Sequence, residues 1–206
     1  MQAEFKVGPQ VASDGTQVVG RADKTGAAVV STLNGAYTES GARSTLMVAS
    51  TAVAGVAPGT ALSTTPPFVL WNPPGSGKKL SVLKSMLGYV SGTLGAGSLV
   101  FAAVLSQVTV PTTGAELVPV CTDLGMPRGV GRVFQGSTLV SVPQILYPAF
   151  MLGAFVGGAN PPQDSIDVVD GSIIVEPGTA LCLQGVAGAG TTPLVLLGMK
   201  WAEIPV

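Results

Sequence analysis

The sequence contains no histidine, so neither a Ser-His-Asp nor a Cys-His site can be assembled within one chain. Charge is scarce too. Lysine, arginine, aspartate and glutamate make up 10% of the 206 residues and nearly cancel to a formal −1, which leaves neither a basic field for nucleic acid nor an acidic tail. The two cysteines, Cys121 and Cys182, are too far apart for metal-ligand spacing. Cys182 lies in an apolar run and reads as a small core residue, while a disulfide between the two stays open. Long apolar runs are also missing. Residues 85–115 carry no charge, but Gly88, Gly92, Gly95 and Gly97 interrupt them, and Pro148 precedes the next apolar run. Gly88/Gly92 and Gly153/Gly157 match a small-xxx-small pattern, yet neither segment offers the ~20 predominantly apolar residues of a spanning helix. No membrane span is expected. The opening MQAEFKVGPQ has no apolar h-region, so a secretion signal is not supported either.

Turn chemistry is what the chain has in abundance. Glycine (28) and proline (16) punctuate many Thr, Ser, Val and Ala residues, which suits short strands joined by turns and opposes long helices. The clearest signal lies in residues 165–186. There the β-branched run Ile173-Ile174-Val175 is followed by Glu176-Pro177-Gly178-Thr179, with Pro and Gly where a type II turn needs them, and then by Ala180-Leu181-Cys182-Leu183. We read this as a β-hairpin. Residues 68–71 read as a short buried strand closed by Asn72-Pro73-Pro74-Gly75-Ser76-Gly77. Residues 80–90 fit both helical and two-residue spacing and are assigned to strand by context; 98–110 is a clearer strand. Further apolar segments follow at 115–121, 133–145, 148–156 and 193–204, with a glycine-rich loop at 123–132. About eight strands with these turns predict an all-β fold, a jelly-roll-like β-sandwich.

Pro66-Pro67 marks a boundary. The sandwich is expected over residues 64–206. Residues 1–63 are small and polar, with strand-like runs only at 27–33 and 45–49, and read as an extended N-terminal arm or anchoring segment. A first pair of strands in the same sandwich is the open alternative.

Residue types that carry chemistry occur only in incomplete patterns. Gly75-Ser76-Gly77-Lys78-Lys79 suggests a phosphate loop, but Asn72 stands where the first glycine belongs and Lys79 replaces the Ser/Thr that would ligate magnesium. A lysine-tipped surface turn is the better reading. Asp164, Asp167 and Asp170, followed by Gly171, are spaced by three, whereas helix-loop-helix calcium loops place acids at alternate positions. Arg128 and Arg132 could meet a phosphate or carboxylate, although arginines in such loops are more often solvated. Neither Gly95/Gly97 nor Gly129/Gly131 completes a Gly-x-Gly-x-x-Gly, because Val100 and Phe134 stand at the third position. The eleven acids are scattered, with no pair marked out for acid-base work. No catalytic residue, metal or cofactor is expected, and the chain reads as non-enzymatic.

With so few charges to cover a monomer, part of the surface is expected to be buried by copies of the chain or by a partner. A monomer coated with Ser, Thr and backbone amides is the competing reading. Three phrases in order bear on the choice: Gly26-Ala27-Ala28-Val29-Val30-Ser31 with Gly35-Ala36-Tyr37-Thr38-Glu39; Pro66-Pro67-Phe68 with Asn72-Pro73-Pro74-Gly75-Ser76-Gly77-Lys78; and Gly88-Tyr89-Val90-Ser91-Gly92-Thr93-Leu94-Gly95. This order resembles a group of tailed-phage structural proteins over roughly the first half of the chain. The resemblance implies a virion component, made in the host cytoplasm, whose jelly roll assembles as a symmetric homo-oligomer, often a trimer, with other virion proteins on the capsid or tail. It transfers no functional residue. A glycan-binding adhesin on a similar sandwich is the alternative, with Trp71, Tyr89, Tyr147 and Trp201 as candidates to stack on sugars.

Overall fold

A computed structural model of the chain describes residues 37–153, 165–187 and 190–206. Contacts divide the chain between Glu39 and Ser40. Beyond the one-turn helix α1 (Thr38–Ala42), every regular element described is a strand. In chain order these are β1 (Leu46–Ser50), β2 (Phe68–Asn72), β3 (Lys78–Ser91), β4 (Gly97–Val104), β5 (Ala115–Leu117), β6 (Val120–Cys121), β7 (Arg132–Gln135), β8 (Gln144–Leu152), β9 (Ser165–Val175), β10 (Thr179–Ala187) and β11 (Leu194–Pro205).

The strands form two antiparallel sheets, a five-stranded one ordered β6-β1-β11-β3-β9 and a six-stranded one ordered β5-β7-β2-β10-β4-β8. The pairings are nested: β1 with β11, β2 with β10, β3 with β9 and β4 with β8. That is the strand pattern of a jelly roll, in which an antiparallel ribbon rolls up and deals its pairs alternately to two sheets. The excursion between β4 and β8 adds β6 beside β1 and β7 with β5 beside β2. All-β jelly-roll architecture is therefore as expected from the turn-rich composition.

Strand alternation sets the core. Leu80 and Val82 of β3, Leu181 and Leu183 of β10, and Met199 and Trp201 of β11 are buried between the sheets. All five residues of β2 are buried, because both its faces are covered. Phe68 and Leu70 join the main core, while Val69 and Trp71 join a second apolar cluster with Val104, Phe134 and Cys182. The segment after β4 roofs that cluster. Trp71 Nε1–H donates to the Gln107 carbonyl (2.7 Å), and the buried Gln107 side chain donates to the Thr109 carbonyl (2.7 Å) and accepts from Val140 N–H (3.0 Å).

Three sequence expectations need correction. Residues 165–186 are not a hairpin, since β9 and β10 belong to opposite sheets. The turn itself is as expected: Thr179 N–H donates to the Glu176 carbonyl at 3.1 Å and Gly178 has φ 81°, which only glycine adopts freely. Gly178 N–H then donates to the Asn72 carbonyl (2.8 Å), which directs β10 onto β2 instead of back onto β9. The turn is a corner of the sandwich. Second, the sandwich does not begin at residue 64: β1 pairs with β11 from Leu46↔Ala202 to Ser50↔Gly198, and Thr51 Oγ1 accepts from Leu197 N–H (3.0 Å). Of the proposed arm, residues 1–36 lie outside the described residues. Third, the strand expected over 98–110 stops at Val104, and Pro148 lies inside β8 instead of opening a new segment. An edge strand tolerates a residue with no N–H, and the β4–β8 register shifts beside it, between Leu99 and Val100.

Candidate interaction surface

The four aromatics proposed for sugar stacking do not form a platform. Trp71 and Trp201 are buried, one under the Gln107 roof and the other in the main core, so neither offers a ring face to a ligand. Tyr89 is half-buried and donates its hydroxyl to the Gly92 carbonyl (2.7 Å). Tyr147 alone is at the surface, 36% exposed, with its ring tilted 58° against Phe101 at 5.1 Å. Large aromatics in a chain with few of them are used first for packing.

The glycine-rich loops are occupied with internal bonds. Asn72 is fully buried and donates from Nδ2 to the Lys78 carbonyl (2.8 Å) and the Val175 carbonyl (2.9 Å), while its Oδ1 accepts from Ser76 Oγ (2.7 Å). It pins the end of β2 to β3 and β9 across the two sheets, so its side chain is a structural requirement. Lys79 pairs with Glu176 at 2.8 Å. In the second loop Arg132 forms a two-pronged pair with Glu116 (2.7 Å twice) and lies over the Trp71 and Phe134 rings at 5.4 and 5.1 Å. Hydrogen bonding from Arg132 is the main reason the Glu116 carboxyl sits below its ordinary range; the charges of Arg132 and Arg128 add to it, and partial burial opposes it.

An anion does sit on the Gly129/Gly131 loop, and it is the chain's own. The buried Glu203 carboxylate accepts from Val130 N–H (3.0 Å), Gly131 N–H (2.9 Å) and Trp201 Nε1–H (3.4 Å). A Cβ on Gly129 would overlap that carboxylate, so any other residue there would have to displace Glu203 from its present position. Nothing in the sequence around Glu203 marks this role; its acid sits on the inward phase of a strand that otherwise buries Met199 and Trp201, and that phase was the available signal.

Of the acidic triplet, Asp164 lies outside the described residues, Asp167 is half-buried and Asp170 exposed. No three His, Cys, Asp or Glu side chains gather into a metal-sized cluster among the described residues. Both cysteines are buried free thiols, and burial pushes the Cys182 thiol far above its ordinary range. No helix among the described residues is long and apolar enough to cross a membrane.

Two clefts stand out. The larger, of ≈ 870 Å³, runs between the β1–β2 connection and β7, and neither an ionisable nor an aromatic side chain lines it. Its glutamines are engaged internally: Gln135 accepts from Ala52 N–H (3.0 Å) and Gln184 donates to the Ala61 carbonyl (2.7 Å). The smaller, of ≈ 410 Å³, lies where β8 and β9 edge the two sheets and is lined by Leu105, Leu146, Tyr147, Ile173 and Ile174 among others. It belongs to a broader feature. Twenty large apolar side chains are exposed among the described residues, including four of the nine in β8. Both edge strands are apolar on both phases, QILYPAFML in β8 and Ile166, Val168, Ile173, Ile174 in β9, and that loss of alternation is the sequence sign of a strand covered on both faces. Comparison of the chain with family models, curated proteins and solved structures gives no match.

Proposed function

We propose that this chain is a non-enzymatic structural subunit of a tailed-phage virion, a jelly roll that assembles with its own copies and attaches to the capsid or tail. The observation that carries the reading is the twenty large apolar side chains exposed among the described residues of a chain only 10% charged. Such a surface is costly in water, and assembly covers it. The phrase order that resembles tailed-phage structural proteins supplies the setting. The glycan-binding alternative is weakened by the burial of Trp71 and Trp201.

Native mass measurement with sedimentation velocity tests the assembly. The full chain is expected as a discrete homo-oligomer, a trimer by the resemblance, and proteomic analysis of gradient-purified particles is expected to contain it. A chain that stays monomeric at every accessible concentration, or is absent from the particles, overturns the reading. The informative truncation removes residues 1–39, because a cut after Ser63 also removes β1 from its sheet. Loss of particle attachment by a truncated chain that still folds is the outcome expected of an anchoring arm.

A further inference from the structure

We draw no further inference here: the strongest candidate, the apolar cleft of ≈ 410 Å³ between the edge strands β8 and β9, carries nothing, because its lining of Leu146, Tyr147 and Ile174 is an unpartnered apolar face and nothing in the structure shows what covers it.

Discussion

Replacing Glu203 by alanine tests whether its carboxylate holds the 129–131 loop onto the end of the sandwich. The substitution leaves the Gly131 amide without its acceptor in a buried position and the Val130 amide in a half-buried one, and removes the more distant bond from Trp201 Nε1. Each orphaned buried donor costs ~1–3 kcal/mol, so after water enters beside the loop the loss should be about 3 kcal/mol. Glu203→Gln keeps one acceptor oxygen in the same shape but turns an amide NH₂ toward a donor, and should cost about half as much, ~1–2 kcal/mol. In urea unfolding followed by tryptophan fluorescence, with m of ~2 kcal/mol per M, the alanine variant should unfold at a midpoint roughly 1.5 M lower. All variants are compared at one protomer concentration, because assembly adds to apparent stability. Amide exchange should rise specifically at Val130 and Gly131. If Glu203→Ala stays within ~0.5 kcal/mol of the parent and those amides remain protected, the clamp is an incidental contact and the reasoning from buried donors fails here.

Other consequences are smaller. Ser85 Oγ is buried in β3 without a partner among the described residues, so Ser85→Ala should leave the unfolding free energy unchanged or raise it, by no more than ~1 kcal/mol; a clear loss would reveal a hydrogen bond that the geometry does not contain. Glu116 has a folded pKa depressed below its ordinary 4.5, so its contribution is present above that value and is lost as pH falls through the folded pKa. Glu116→Gln should therefore flatten the acid limb of the stability curve below about 4.5, and at neutral pH it should cost less than ~1 kcal/mol because the pair is largely solvated. The Cys182 thiol should resist Ellman's reagent until the protein unfolds, and Cys182→Ser should cost ~1–3 kcal/mol by placing a hydroxyl in a cluster of Val69, Trp71 and Phe134. Rapid labelling of Cys182 in the folded chain would refute the packing assigned to that cluster.

Local chemistry was legible in the sequence; the choice of partners was not. The type II turn at residues 176–179 follows from Pro177 and Gly178 because φ preferences act within the turn itself. Whether the flanking strands then pair with each other depends on contacts from β2 and β3, residues 68–91, so the same turn serves a hairpin or a corner. The burial of β2 was readable from Phe68-Val69-Leu70-Trp71, since a run with no polar phase needs cover on both sides. The boundary near residue 40 was hidden for the opposite reason: β1 is five residues long and leans on β11, 150 positions away, for its place. The Glu203, Asn72 and Gln107 anchors each join segments far apart in sequence, and only the sign of a polar residue on an inward phase hinted at them.

The nested pairing of a jelly roll has a geometric consequence for its two flanks. Pairing first strand with last and working inward leaves the innermost pairs, β3 with β9 and β4 with β8, at one side, so β8 and β9 end their sheets together. At the other side the excursion between β4 and β8 extends both sheets with β5, β6 and β7, and the Glu203 clamp fastens the loop between β6 and β7. Among the described residues no comparable addition covers the β8–β9 side, where the side chains are apolar and the backbone is irregular. The extended side still exposes Val118, Val120, Leu124 and Met126, so apolar character does not distinguish the two flanks; what does is the order of strands at each.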